Sequence, residues 1–432
     1  MTEAGQGRKI DLFPAAALAV HLALALSLRV SVWPEVTTPG YLWSRGLLLY
    51  RDVKFQHAPG TMGLLAIAFR LFGEGDWVVR TFAIVWPLLA HVFVNKETRS
   101  FELPQRVLAS AFFLTCFYAS DGSAVWPTVV IAALAIPIAT AFSRGKVILA
   151  GLAIGIAILF KQTAAYLLFL AVAALLVQRR FRDAGKLFLA GSLPYLSTLL
   201  VFFALGAGVD MWRWTFEVPF TVRPPIARFR PNVFPVAMVV LAFVPLAIEA
   251  GLERPGKYAT SGRWLLLVAA GLALICYPRF DLRQTVAAVP CLAVGAARLT
   301  SRQPLLLRRA AIAFVATIAF SRGIVLAAGG QFDGKLTYWN DEPDLNRLVA
   351  RLRELPPETP LDVGVWANVL PRTGLLPPGR LYVNPYFTWF FPVDRIGERI
   401  RKASEVPGTV LVDFRNPKLK GEVIGSYQIT RR

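Results

Sequence analysis

Between residues 1 and 328, acidic side chains are scarce, and their positions are informative. Glu35 stands in "SVWPEVTTPG", directly after the first long apolar run. Asp52 lies in "GYLWSRGLLLYRDVKFQHAPG", an aromatic and basic stretch that also holds Lys54 and His57. Asp121 occupies "YASDGSAVWP", a very short connection between two apolar runs. A carboxylate at a membrane–water boundary can act as a general base, or as a ligand for a divalent cation such as Mg or Mn. The competing reading is a solvated loop acid. Asp121 departs from it, because its turn is too short to leave membrane depth.

Cations form the second informative group. Lys161 in "AILFKQTAAYLLFL", followed by Gln162, interrupts a nearly continuous apolar stretch from 147 to 177. An ionisable group there is costly and points to function, with snorkelling to the interface as the alternative. Arg279 and Arg283 in "YPRFDLRQ" are four apart, so a helix would align them on one face. Asp281 between them could serve only to pair with one. Arg322 also falls in an apolar segment. Arginines and a lysine at one boundary suit a phosphate or diphosphate headgroup, which Arg binds bidentately.

These groups need elements to position them, and composition says of what kind. The 432 residues are 55% apolar and 17% charged, with mean hydropathy +0.51. A soluble chain carries roughly 25% charge, so this is the composition of a polytopic membrane protein. The formal charge of +20 lies mostly in loops between apolar runs, where cytoplasmic connections carry Lys and Arg. With no basic-plus-aromatic nucleic-acid module, nucleic acid is excluded as a partner. Cys116, Cys276 and Cys291 lie in apolar runs without zinc or disulfide spacing, and His21 and His91 read as buried structural residues. There is no Gly-rich phosphate loop and no defensible Ser-His-Asp arrangement.

A span needs about 20 apolar residues, or about 17 with snorkelling flanks. About eleven spans follow: 11–33, 77–95, 105–119, 124–143, 146–160, 163–178, 187–207, 232–250, 263–277, 284–299 and 309–328. The run "GTMGLLAIAFRLFG" (60–73) is too short to cross comfortably and reads as an interfacial helix. An N-terminus inside puts the denser Lys/Arg loops in the cytoplasm. It also puts residues 34–76 outside as the first outer loop with interfacial helices, with Glu35, Asp121, Lys161 and Arg283 on that same side. Arg8 and Lys9 precede a long run with no small-residue cleavage site, so the first helix is retained. Residues 1–328 thus form a transmembrane domain. Residues 329–432 change character: "LDVGVWA", "GRLYVN" and "TVLVDF" read as strands between helical "DLNRLVARLREL" and "DRIGERIRKASE", a small outer α/β domain. The outer segment 206–232, rich in Trp, Pro and Arg, suits an ordered membrane-facing loop.

The order of these motifs resembles the GT-C type glycosyltransferases that use polyprenyl-phosphate sugars, among them the protein O-mannosyltransferases and lipid A aminoarabinose transferases. The pattern is an acid, then G-x-x-x-Y-x-D, a proline, LFG and an arginine. Here it reads Glu35, Gly46 to Tyr50 and Asp52, Pro59, Leu71-Phe72-Gly73 and Arg80. "YASDGSAVWP", "FKQ" and "YPRFDLRQTVAAVPCLAV" resemble later segments, and the tail is similar to the periplasmic domain of these enzymes. Relatives often pair Asp with Glu in the first loop, whereas Glu35 follows Pro34. Either Glu35 acts alone, or Asp52 or Asp121 shares its role. The sequence "DLRQ" also departs from relatives, which carry an aromatic pair with histidine there.

The resemblance implies a multi-pass protein of a bacterial inner or plasma membrane, with the N-terminus cytoplasmic and the tail extracytoplasmic. It implies transfer of a hexose or pentose from a polyprenyl-phosphate donor to a glycan, lipid or protein acceptor. Glu35, Asp121 and Asp52 would act as catalytic acids and bases. His57, Lys54, Lys161, Gln162, Arg279 and Arg283 would contact substrate. A transporter or flippase of a lipid-linked saccharide is the alternative, and a non-catalytic assembly partner a third reading. Transporters often show internal repeats, and none is visible.

Overall fold

The computed structural model describes residues 11–218, 233–252, 260–276, 282–302, 305–329, 332–338, 343–365, 367–383, 405–414 and 421–431. Arg279, Asp281 and the helical reading of "DRIGERIRKASE" lie outside them. Each of the eleven apolar runs contains a helix. The first seven are α1 (Phe13–Ser27), α4 (Asp76–Thr98), α5 (Leu103–Tyr118), α6 (Pro127–Ser143), α7 (Val147–Phe160), α8 (Ala165–Val177) and α9 (Phe181–Ala204). The last four are α11 (Val233–Gly251), α12 (Gly262–Ala273), α13 (Val289–Arg302) and α14 (Leu305–Gly329). Between them stand α2 (Pro34–Ser44), α3 (Gly60–Phe72) and the short α10 (Gly208–Trp212).

Among the described residues, three helices are long and apolar enough to cross a membrane by themselves: Asp76–Thr98, Phe181–Ala204 and Arg308–Gly329. Other apolar helices are shorter, and packing explains how they are accommodated. Helix α6, apolar all round, is buried along almost its whole length, as a central helix must be. The α7–α9 contact rests on "GLAIG", a small-xxx-small pattern that lets backbones approach. A Cβ on Gly155 would lie 2.5 Å from the Gly191 carbonyl oxygen, and one on Gly151 would lie 2.8 Å from that of Leu187. Gly155→Ala must therefore push the two helices apart. Overpacking of this kind costs about 1–3 kcal/mol, which should appear as a lowered thermal unfolding midpoint in detergent.

One expectation is corrected. The first apolar run, 11–33, is not one helix: α1 ends at Ser27, and Leu28 turns to extended backbone (φ −71°, ψ 146°). Val30–Val32 then forms strand β1, because hydropathy cannot tell a short apolar strand from helix, and β-branched residues favour the strand. Its partner is β3 (Leu336–Tyr338) in the tail, in parallel register Val30↔Leu336. Arg29 pairs with Asp333 just before β3, and that guanidinium holds the Asp333 carboxyl down at about 2. The first outer loop, 34–76, holds the helices α2 and α3, and Pro34 at the first helical position is pre-set for α2. The strand read in "GRLYVN" is β5 (Tyr382–Val383), and it joins β2 (Val53–Lys54) of the first loop.

The rest of the tail has α15 (Pro343–Leu352) and α16 (Val369–Thr373) with a four-stranded sheet. Its strands are β4 (Leu361–Val363), β6 (Val410–Phe414), β7 (Glu422–Ile424) and β8 (Tyr427–Arg431), in the order β4-β6-β8-β7. The β4–β6 pair is parallel and the other two pairs are antiparallel. The strand and helix readings of "LDVGVWA", "TVLVDF" and "DLNRLVARLREL" thus each find their element.

Candidate active site

The first loop folds as a frame. Gly46 (φ 84°) and Tyr50 (φ 69°) both take left-handed backbone, which turns the chain twice within five residues. The fully buried Tyr50 hydroxyl donates to the His57 carbonyl (2.8 Å), fixing the backbone behind that imidazole. Asp52 is tied into the same turn. Its carboxylate accepts from the Leu48 N–H (2.8 Å) and from Arg51 (2.9 Å). Partial burial pushes this carboxyl up, but the Arg51 hydrogen bond, the Leu48 N–H and the Arg51 and Arg380 charges outweigh it. The group lies below its ordinary value.

Gln162 is a second frame member. It sits in a 3-10 turn (Gln162–Ala164) between α7 and α8, and its amide bonds only backbone. It donates to the carbonyls of Gln56 (2.7 Å) and Thr215 (3.2 Å) and accepts from the Ala58 N–H (3.2 Å). Lys54 pairs with Asp210 (3.2 Å) and so joins the first loop to α10. A Cβ on Gly60 would lie 2.6 Å from the Leu159 carbonyl oxygen, so α3 starts in direct backbone contact with the end of α7.

Within this frame, four separate segments converge. Glu35, in the first turn of α2, is 4% exposed and has the His57 Nε2 4.0 Å from its Oε1. The His57 ring meets Phe55 and Trp126 edge-on, with centroids 5.1 and 5.8 Å away. Trp126 precedes α6 and packs against Trp33 at 5.6 Å. Lys161, where α7 ends in extended backbone, places its ammonium over the Trp126 ring at 5.5 Å. The apolar stretch 147–177 is therefore two helices broken at Lys161, and the break delivers the cation to this cluster.

Asp121 completes the group from the α5–α6 turn. Its backbone is left-handed (φ 63°), and Val125 in the same turn donates to the Ser31 carbonyl of β1 (2.9 Å). One β1 strand thus holds both the turn carrying Asp121 and, three residues on, the start of α2. Arg283 reaches Asp121 (Nη1 to Oδ2, 3.7 Å) and lies over Trp33 at 5.7 Å, with a side chain 55% exposed. Glu35, Asp121, His57, Lys161 and Arg283 are therefore gathered at one end of the bundle. Asp52, Lys54 and Gln162 bond outside that cluster. Arg322, buried in α14, is not among the contacts described for it.

Sequence reasoning missed Gln284 and Trp126. The Gln284 Oε1 accepts from Lys161 Nζ (2.6 Å) and Trp126 Nε1 (2.8 Å), with Thr128 Oγ1 at 3.5 Å. A polar residue next to Arg283, and a Trp closing the Asp121 turn, were the available signals. Neither carries charge, and Trp at a boundary reads first as an anchor. His21 and His91 are buried as expected, in a separate network with Tyr118 and Ser110. Among the described residues, no group of three or more His, Cys, Asp or Glu is placed to hold a metal ion.

The helix order, the folded first loop and the tail paired with it form a mostly helical fold shared with solved structures, and the apolar helices fit a multi-pass membrane protein. Two solved structures carry this likeness, both of ArnT from Cupriavidus metallidurans. The form bound to undecaprenyl phosphate matches with TM-score 0.65, and the apo form with TM-score 0.64. Each match has 16% sequence identity and covers 97% of both chains. In sequence, residues 56–212 match the dolichyl-phosphate-mannose-protein mannosyltransferase family. No curated protein matches the chain.

Proposed function

We propose that this protein is an integral-membrane glycosyltransferase that moves a sugar from a polyprenyl-phosphate donor to an acceptor at the extracytoplasmic face. The observation that carries this is the cluster itself. Two carboxylates, an imidazole and two cations from five segments meet around two Trp rings at one end of a GT-C type bundle. In the reaction, an acceptor hydroxyl attacks the anomeric carbon while the bond from that carbon to the phosphate oxygen breaks. Glu35 takes the hydroxyl proton, and the polyprenyl phosphate leaves with the electron pair.

Lys161 and Arg283, with Arg279 from the neighbouring sequence, stabilise charge that grows on the leaving phosphate. Asp121 orients Arg283, and His57 orients Glu35. Trp33 and Trp126 offer apolar faces to the sugar ring. Asp52, Lys54 and Gln162 are assigned to the frame, where their bonds are made. The frame has an N-terminus inside, and residues 329–432 form the extracytoplasmic domain above the site. A flippase reading has no feature in its favour that this one lacks.

Gln284 follows as a positioning group for Lys161. Gln284→Leu strips the shared acceptor from an ammonium and an indole N–H, and a charged hydrogen bond is worth about 1.5–3 kcal/mol. The donor kcat/KM should therefore fall about tenfold, mostly through kcat. The function itself is tested by a screen of undecaprenyl-phosphate-linked sugars with purified protein in nanodiscs. One of them should be consumed with release of undecaprenyl phosphate, and consumption of none would refute the reading.

A further inference from the structure

The tail reaches into the site region through one buried side chain. Asn368, just before α16, is fully buried, yet both of its polar contacts are with the segment around Glu35. Its Nδ2 donates to the Val32 carbonyl (3.0 Å), 336 positions earlier. Its Oδ1 accepts from the Thr37 hydroxyl. The carbonyl can only accept, so the amide nitrogen must face Val32, and the orientation is fixed. The two contacts bracket Glu35, three residues before it and two after it.

The other hydrogen bonds described for the bracketed turn are local. The N–H groups of Val36 and Thr37 converge on the Trp33 carbonyl at 3.1 Å, while the Thr37 hydroxyl, though 3.0 Å from that oxygen, gives its single proton to Asn368. That closes the turn on itself but does not aim it. Asn368 ties the same turn to the tail, beside the strand pairing of β1 and the packing of Trp33 on Trp126. Val369, Leu370 and Leu375 are buried behind it, and the Tyr41 hydroxyl of α2 donates to the Leu375 carbonyl (3.4 Å).

We propose that Asn368 is a positioning residue for Glu35, so that the tail is a working part of the active site rather than an appended domain. This rests on Glu35 as the proton acceptor. A carboxylate displaced by about an ångström costs roughly a hundredfold in rate while leaving donor contacts in place. Asn368→Ala should therefore lower kcat by about 10–100-fold, with donor KM unchanged within about twofold. Thr37→Val removes the same link from the other side with the same side-chain shape, and should lower kcat in the same direction.

The experiment uses the full chain in nanodiscs, with the donor found among undecaprenyl-phosphate-linked sugars, and compares wild type with both variants and with Glu35→Gln. In the Glu35→Gln background, adding Asn368→Ala should cause no further loss, because the group it positions is gone. A merely structural residue would lower both backgrounds alike. Arg351→Ala, which breaks a surface ion pair with Glu422 elsewhere in the tail, should leave kcat unchanged.

If Asn368→Ala folds and turns over at the wild-type kcat while Glu35→Gln is inactive, the proposal is overturned and the reading of Glu35 stands. If Asn368→Ala does not fold, Thr37→Val decides: a wild-type kcat there overturns the proposal. If Glu35→Gln itself retains the wild-type rate, the reading of Glu35 has failed, and the proposal fails with it.

Discussion

Glu35→Gln lowers sugar transfer by about 10²–10⁴-fold, the range a general base supplies, with folding preserved. The substitution keeps the size and hydrogen-bonding reach of a side chain that is nearly fully buried. It removes only the capacity to take a proton. His57, 4.0 Å away, loses a carboxylate neighbour but keeps its packing against Phe55 and Trp126. Thermal unfolding and yield should therefore stay close to wild type, while transfer from the lipid-linked donor falls below a hundredth. Transfer at the wild-type rate in this variant would move the base elsewhere, with Asp121 the next candidate in the cluster.

Lys161→Met has the second-largest expected effect. The ammonium lies over Trp126 and is the closest donor to the Gln284 oxygen. It is the buried cation of the cluster, whereas Arg283 is largely exposed. A positioned charge facing a leaving phosphate is worth about 10²–10³ in rate, so kcat/KM for the donor should fall by that factor. Stability should not fall in parallel, because removing a buried charge in favour of an apolar side chain of similar length is often neutral or stabilising. Gln284 keeps its bond from Trp126 in the variant. The diagnostic result is loss of turnover with an unchanged or raised unfolding midpoint. Equal losses of both would mean that Lys161 serves the fold.

Much of the bundle was legible in the sequence because long apolar runs have few alternatives in a membrane. The eleven runs each hold a helix, and the break at Lys161 was marked by the one charge in its stretch. What was not legible is long-range pairing. β1 looks like the tail end of a membrane span until Leu336–Tyr338 is beside it, and β5 looks like a member of the tail's own sheet until Val53 pairs with it. Period and hydropathy are local properties, whereas strand partners lie hundreds of residues away.

The candidate site divides the same way. Glu35, Asp121, Lys161 and Arg283 were found because a charge near membrane depth is expensive and demands a reason. Asp52 attracted attention as a first-loop acid and Gln162 as part of "FKQ", yet their bonds go to backbone and to Arg51. Neutral Gln284, Trp126 and Asn368 gave no such signal. Their roles come from convergence: one carbonyl oxygen shared by an ammonium and an indole, and one amide spanning the turn that carries Glu35.

The central claim is that this site breaks the bond between a sugar and a polyprenyl phosphate. The most direct measurement reconstitutes the protein in liposomes with an undecaprenyl-phosphate-linked sugar and an acceptor, and follows the lipid by mass spectrometry. The account predicts that undecaprenyl phosphate appears in step with glycosylated acceptor, and that neither forms with Glu35→Gln. A donor that stays intact and only moves between leaflets, equally well in wild type and variant, would contradict it.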